Sequence, residues 1–262
     1  GGRKAIRERT SEQGGIGVIR RVLPEGSSVL VTGGSSGIGW SICQRLREDG
    51  WDVVSFDLQP PPVSGVCEHE RVDMGDEAAL DGALARLINR KAVLGLVNNV
   101  AAIEPASLEE TTLSSFDRQL RVTTRAALQC AKAVVPAMRK AGFGRIVNIS
   151  SRAALGKELR SAYAASKGAL NSLTRTWALE LAGVGITVNA VAPGPIATEA
   201  FKRANPPDSP RTARILQGVP MGRYGEPEEV AHAVAFFMDP RSSFITGQIL
   251  YVCGGITVGL AS

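Results

Sequence analysis

The segment Tyr163-Ala-Ala-Ser-Lys167 brings a phenol and an ammonium four residues apart. In a helix, at ~100° per residue, that spacing puts both side chains on one face, about 40° apart. The face continues through Leu170, Trp177 and Leu181, so it turns toward a core and not toward water. A phenol with an ordinary pKa of ~10 is a poor base at neutral pH, and a nearby lysine cation lowers that value by favouring phenolate. The pair can therefore move a proton, although Tyr and Lys at this spacing also occur in helices that do no chemistry. Just upstream, the apolar run Arg145-Ile-Val-Asn-Ile149 delivers Ser150-Ser151 to its C-terminal end. Open α/β sheets bind ligands at that end.

A second constellation is Val29-Leu-Val-Thr-Gly-Gly-Ser-Ser-Gly-Ile-Gly39, an apolar strand that turns at Gly33, Gly37 and Gly39 into a helix. Glycines there make the tight turn, admit a pyrophosphate to the backbone and let helix pack on strand. The helix then offers its free N–H groups and positive dipole end to phosphate. No Lys-Ser/Thr pair follows, which excludes a Walker A loop. The next strand ends Val53-Val-Ser-Phe-Asp57, eighteen residues past Gly39. A carboxylate there accepts from the adenosine-ribose hydroxyls and repels a 2′-phosphate, so NAD is expected over NADP. A solvated strand-end Asp is the competing reading, and Arg71 or the N-terminal arginines would favour a phosphate instead.

The elements that must position these groups follow from the distribution of Val, Ile, Leu and Ala. Short apolar runs predict strands at Ser28-Val31, Val53-Phe56, about Glu70-Val72, Leu94-Asn98, Arg145-Ile149, Thr187-Ala190 and Ile249-Val252. Helices are expected at Ile38-Asp49, Glu77-Ile88, Ser114-Val122 running on to Met138, Ala162-Ala182 and Glu228-Phe237. Strand-helix alternation with near-continuous apolar strands predicts a doubly wound α/β fold, a parallel sheet covered on both faces, as a single Rossmann-like domain over 27–262. The stretch from Thr198 to about Gly222, with Asn205-Pro-Pro-Asp-Ser-Pro210, reads as one long loop, either a functional lid or disordered.

Composition narrows the function classes. The 262 residues are 44% hydrophobic and 21% charged, which excludes a disordered chain, a collagen-like fibre and a small disulfide scaffold. No run approaches the ~18 apolar residues of a membrane span. The net charge of +5 invites a polyanion partner, but +3 of it lies in residues 1–26, a basic extension expected to be poorly ordered. That extension has no apolar h-region for a signal peptide, and its three acids disfavour an organellar transit peptide, which its arginines still leave open. Neither nucleic acid nor membrane is expected as a partner. Cys43, Cys67, Cys130 and Cys253 are too scattered for a zinc knuckle or redox pair and read as buried thiols in a reducing, cytoplasmic setting. The two histidines, His69 and His232, read as surface residues, so no metal site is expected.

Taken together, Thr32-Gly-Gly-Ser-Ser-Gly-Ile-Gly39, Asn98-Asn99, Ser150-Ser151, Tyr163-x-x-x-Lys167 and Pro193-Gly-Pro-Ile-Ala-Thr198 resemble the short-chain dehydrogenase/reductase family in its single-domain form, over residues 27–258. The closest style of motif is that of the 3-oxoacyl-carrier-protein reductase-like branch. The resemblance implies that Tyr163 exchanges a proton with the carbinol oxygen, that Lys167 binds the nicotinamide ribose and lowers the tyrosine pKa, and that a serine hydrogen-bonds the substrate oxygen. It places Gly33, Ser35, Ser36, Gly37 and Ile38 along the cofactor phosphates, Asp57 at the adenosine ribose, and Asp73 and Met74 at the adenine. Asn99 would lie along the cofactor, and Pro193, Ile196 and Thr198 would hold the carboxamide edge. It also implies a homotetramer built on the small-residue helix from Ala162 and on the apolar C-terminal run from Thr246 to Val258.

Three departures from the family pattern matter. Spacing counted back from Tyr163 selects Ser150, whereas the strand-end pattern Asn-Ile-Ser-Ser selects Ser151; the strand fixes geometry more tightly, so Ser151 is preferred. The family's Asn-Asn-Ala-Gly stands here as Asn98-Asn99-Val100-Ala101. In Phe116-Asp-Arg-Gln-Leu-Arg-Val-Thr123, threonine replaces an Asn that helps hold a water in the proton relay. The expected activity is hydride transfer between NAD(H) and a small secondary alcohol or ketone. An NADPH-dependent 3-oxoacyl-thioester reductase, or a regulatory dinucleotide-binding protein weakened at Thr123, are the alternatives. Specificity is expected from 199–214, where Lys202, Arg203, Arg211 and Arg214 would meet a carboxylate or phosphopantetheine if they are more than a solvated lid, and from the loop Arg152-Arg160.

Overall fold

A computed structural model describes residues 22–206 and 208–259 of the chain, Arg211 as backbone only. Seven strands, β1 (Ser28–Thr32), β2 (Asp52–Asp57), β3 (Glu68–Arg71), β4 (Val93–Asn98), β5 (Gly144–Ile149), β6 (Ile186–Pro193) and β7 (Ile249–Val252), form one sheet in the order β3-β2-β1-β4-β5-β6-β7. Every neighbouring pair is parallel. The four central strands β1, β4, β5 and β6 are buried along their whole length. Both faces of the sheet must therefore be covered, which explains their unbroken apolar runs.

The cover comes from eight helices among the described residues: α1 (Gly37–Glu48), α2 (Glu77–Arg90), α3 (Leu113–Leu120), α4 (Ala126–Ala141), α5 (Ser161–Leu181), α6 (Glu199–Ala204), α7 (Pro210–Gln217) and α8 (Pro227–Met238). α1 packs against α8, and there the buried Ser41 hydroxyl donates to the Glu228 carboxylate at 3.0 Å. The winding reverses between β1 and β4, and at such a switch point the strand ends diverge to leave a crevice.

The sequence expectation differs from this fold in four places. β3 is Glu68–Arg71, two residues earlier than expected, because an edge strand of Glu, His, Glu and Arg carries no apolar signature. His69 is thus part-buried in a strand, whereas His232 is exposed on α8. Cys67 is half-buried, unlike the three buried cysteines. The stretch from Thr198 to Gly222 is not one loop: α6 begins where the Thr198 side chain accepts from the Phe201 N–H, and α7 where Ser209 accepts from the Thr212 N–H with Pro210 behind it. Those cap signals were present in the sequence, hidden among prolines that read as loop. Residues 1–21 of the basic extension lie outside the described residues.

Candidate active site

The C-terminal ends of the central strands open into a cleft of about 1210 Å³. Its first wall is the β1–α1 turn. Thr32 ends β1, and its Oγ1 accepts from the N–H groups of Asn99 at 3.0 Å and Val100 at 3.2 Å. The Asn99 amide donates back to the carbonyls of Thr32 and Gly33, each at 3.0 Å. β1 and β4 are tied together at the point where the turn begins. Gly33 takes a φ of +70°, and a Cβ at Gly39 would lie 1.9 Å from the Gly33 carbonyl oxygen. Only a bare backbone packs that closely.

α1 begins without a side-chain cap: Ser36 makes no capping hydrogen bond, and the first turn holds no acid. The amides of Gly37, Ile38 and Gly39 have no acceptor among the described residues, and these residues line the cleft. A pyrophosphate fits the need of those donors and of the helix dipole. At the end of β2, the Asp57 carboxylate accepts from the Ser35 N–H at 3.0 Å and from the Gln59 N–H at 3.1 Å, which fixes its direction at the cleft rim. Ser35 itself does not line the cleft, contrary to expectation. Its side chain is buried with an unpartnered hydroxyl, and it acts through its backbone by aiming Asp57. Asp73 and Met74 continue the same wall.

The opposite wall carries the ionisable groups. Ser151 follows β5 and caps the short turn Arg152–Leu155, accepting from the Ala153 N–H at 3.1 Å. It lines the cleft together with Tyr163, and its hydroxyl favours the ionised form of the phenol. Ser150 is 2% exposed and donates to the Lys167 carbonyl at 3.2 Å, so it braces α5 while Ser151 faces the phenol. Lys167 is 1% exposed; its Nζ donates to the Ile149 carbonyl at 2.6 Å and lies 5.8 Å from the centre of the Tyr163 ring. Burial pulls the Lys167 ammonium down to about 7. Burial also pushes the Tyr163 phenol up, against the opposing pull of the Ser151 hydroxyl and the Arg160 charge. The Arg160 charge thus favours phenolate.

A buried polar chain holds α5 in place. Asn98 Nδ2 donates to Asn148 Oδ1 at 2.8 Å, Asn148 Nδ2 donates to Thr174 Oγ1 at 2.9 Å, and Thr174 donates to the Leu170 carbonyl at 2.7 Å. Asn148 and Thr174 escaped the sequence reading, though an Asn inside the apolar run Arg145-Ile-Val-Asn-Ile149 was a visible signal. Thr123 lies in a π-helical turn, Arg121–Arg125, that joins α3 to α4; it is 2% exposed and its hydroxyl has no partner among the described residues. Such turns cluster at functional sites.

The cleft thus brings together Gly33, Ser36, Gly37, Ile38, Asp57, Asp73, Met74, Asn99, Ser151, Tyr163, Lys167, Pro193, Ile196 and Thr198. Of the basic residues expected on 199–214, Arg203 lines it and Lys202 and Arg214 do not; the Arg211 side chain lies outside the description. Arg152 and Arg160 line it as well, two side chains named above only as the ends of a loop.

A family model described as Enoyl-(Acyl carrier protein) reductase matches residues 33–257. The (2S)-[(R)-hydroxy(phenyl)methyl]succinyl-CoA dehydrogenase subunit BbsD of Thauera aromatica is 35% identical over 237 residues, 86% of this chain and 94% of that protein. A galactitol 2-dehydrogenase (L-tagatose-forming) of Cereibacter sphaeroides is 35% identical over 246 residues, 89% of this chain and 96% of its own. Among solved structures, a 3-oxoacyl (acyl-carrier-protein) reductase from Agrobacterium tumefaciens C58 with NADP bound superposes with a TM-score of 0.82 at 29% identity, covering 87% of this chain and 93% of that one.

Proposed function

The chain belongs to the short-chain dehydrogenase/reductase family, and from that premise we propose that it is an NAD-linked dehydrogenase of secondary alcohols in which Tyr163, Ser151 and Lys167 do the chemistry. It is an oxidoreductase acting on CH–OH groups, exchanging hydride between a nicotinamide cofactor and an alcohol or ketone. The finer reading rests on one observation: Ser151, Tyr163 and Lys167 meet in the cleft that also exposes the uncapped start of α1, with the Lys167 Nζ 5.8 Å from the centre of the Tyr163 ring.

NAD, when bound, supplies the hydride acceptor. The residues that would hold it are the Gly37–Gly39 amides at the pyrophosphate, Asp57 at the adenosine ribose, Asp73 and Met74 at the adenine, and Pro193, Ile196 and Thr198 at the carboxamide. In oxidation, the Ser151 hydroxyl hydrogen-bonds the carbinol oxygen and Tyr163 takes its proton. Lys167 lies beneath the phenol, anchored on the Ile149 carbonyl, where it is placed to bind ribose hydroxyls and to pass that proton on. A lysine near pKa 7 can give up as well as accept a proton at neutral pH.

Asp57 supports NAD over NADP: two amides hold its carboxylate at the rim, where its charge opposes a 2′-phosphate. The NADP-bound relative keeps the thioester-reductase alternative in view. Thermal unfolding separates the two. NAD is expected to protect the protein and NADP to protect it less, with NADH formed from at least one member of a secondary-alcohol panel; protection by neither at millimolar concentration overturns the reading. The orphan hydroxyl of Thr123 favours a second reading, a binding protein with an impaired relay. If that hydroxyl serves no relay, Thr123→Val removes an unpaired buried polar atom, and a gain of about 1 kcal/mol in stability with turnover retained is expected. A homotetramer and a cytoplasmic setting belong to the same proposal. Exposed Leu128, Leu179, Phe236 and Leu250 support the first, and four free thiols the second.

A further inference from the structure

The substrate end of the cleft carries positive charge that the dehydrogenase chemistry leaves unused. Arg152 leaves the chain directly after Ser151, and the Ser151 cap on the Ala153 amide fixes where its side chain departs. It is half-buried in the cleft wall, yet it has neither a hydrogen bond nor an ion pair among the described residues. Arg203 reaches the same cleft from α6 and is likewise without an acidic partner there. Elsewhere arginines find carboxylates, Arg45 with Asp49, Arg86 with Glu70, Arg223 with Glu229 and Arg241 with Asp239, and within the cleft Arg118 pairs with Glu104.

The backbone is also arranged around this charge. Leu159 has a φ of +58°, and it is the only non-glycine in the left-handed region among the described residues. Its carbonyl accepts from the Ala106 N–H at 3.2 Å and from Arg160 Nη1 at 2.8 Å, which holds the loop 152–160 over the cleft. Backbone strain of this kind persists only where the surroundings hold it. A guanidinium stays charged at every relevant pH and binds carboxylate oxygens in pairs. Partly withdrawn from water and lacking a counter-ion, Arg152 is set to receive an anion next to the reacting oxygen.

We propose that Arg152, assisted by Arg203, forms an anion subsite and that the substrate is a hydroxy acid, a secondary alcohol bearing a carboxylate close to the carbinol. The inference rests on the dehydrogenase reading above. Matched pairs test it: 3-hydroxybutyrate against 2-butanol, and 3-hydroxycyclopentanecarboxylate against cyclopentanol, with NAD as oxidant and NADH as readout. A charge-assisted hydrogen bond of about 1.5–3 kcal/mol makes kcat/KM for the acid at least about tenfold higher than for its neutral partner. Arg152→Met should cut that preference about tenfold, mainly through KM, and Arg152→Lys should restore part of it. Equal use of acid and neutral alcohol overturns the inference alone, as does an Arg152→Met loss shared equally by both. 3-Hydroxybutyryl-coenzyme A preferred over the free acid, with that preference lost in Arg152→Met, assigns the charge to phosphate and also overturns it. If no alcohol of any kind is oxidised although NAD binds, the dehydrogenase reading fails and takes the inference with it.

Discussion

The two ends of the cleft are built from different materials. At the cofactor end the ligand-facing groups are backbone: uncapped amides at the start of α1, a turn that tolerates no Cβ at Gly39, and a carboxylate held by two amides. At the substrate end they are side chains on short elements, Arg152 in a single helical turn, Arg160 behind a strained Leu159, and Arg203 on the six-residue α6. Backbone groups on long strands are fixed by the sheet and suit a ligand that does not vary. Long side chains on loops can be exchanged without disturbing the sheet.

Substitutions at either end break or sharpen that contrast. At the rigid end, a methyl at position 39 meets the Gly33 carbonyl directly, so Gly39→Ala should cost about 3 kcal/mol of NAD affinity, roughly a hundredfold, by titration calorimetry. An unchanged affinity would mean that the turn yields as easily as a loop. A smaller effect is expected at Asp57: Asp57→Ala should lower the ratio of NAD to NADP affinity about tenfold, the worth of one charge-assisted hydrogen bond. A ratio that does not move would return Asp57 to an ordinary solvated strand end.

Between the two ends, Lys167 acts on stability and not on affinity. Its folded pKa is depressed by burial, so between about 7 and the usual lysine range the unfolded chain binds more protons than the folded one. Stability should therefore rise with pH across that window, by up to about 1.4 kcal/mol per pH unit, and be lost as pH falls toward 7. Denaturant unfolding at several pH values checks this, and Lys167→Met should flatten the slope. An equal slope in the variant would show that Lys167 is solvated and charged.

What could be read from the sequence follows the same division. The parallel sheet, the glycine turn, Asp57 and the Tyr163–Lys167 face were legible because strand periodicity and helical spacing are local, and each is fixed by residues a few positions apart. The resemblance placed Ser35 along the phosphates, whereas the fold uses its amide on a strand end twenty-two residues away. α6 and α7 were missed because each is shorter than the pattern needed to show a face, and only their caps announced them. The Asn98–Asn148–Thr174 chain and the charge of Arg160 on the Tyr163 phenol depend on contacts between elements, which no spacing rule reports.

The most direct test of proton transfer by Tyr163 is the rate of NADH formation from the best secondary alcohol of the panel, measured in the wild type and in Tyr163→Phe with NAD affinity determined for both. The expected result is a fall of about 10²–10⁴-fold in kcat with NAD affinity unchanged, as befits a lost general base. Turnover in Tyr163→Phe within a few-fold of the wild type would contradict it.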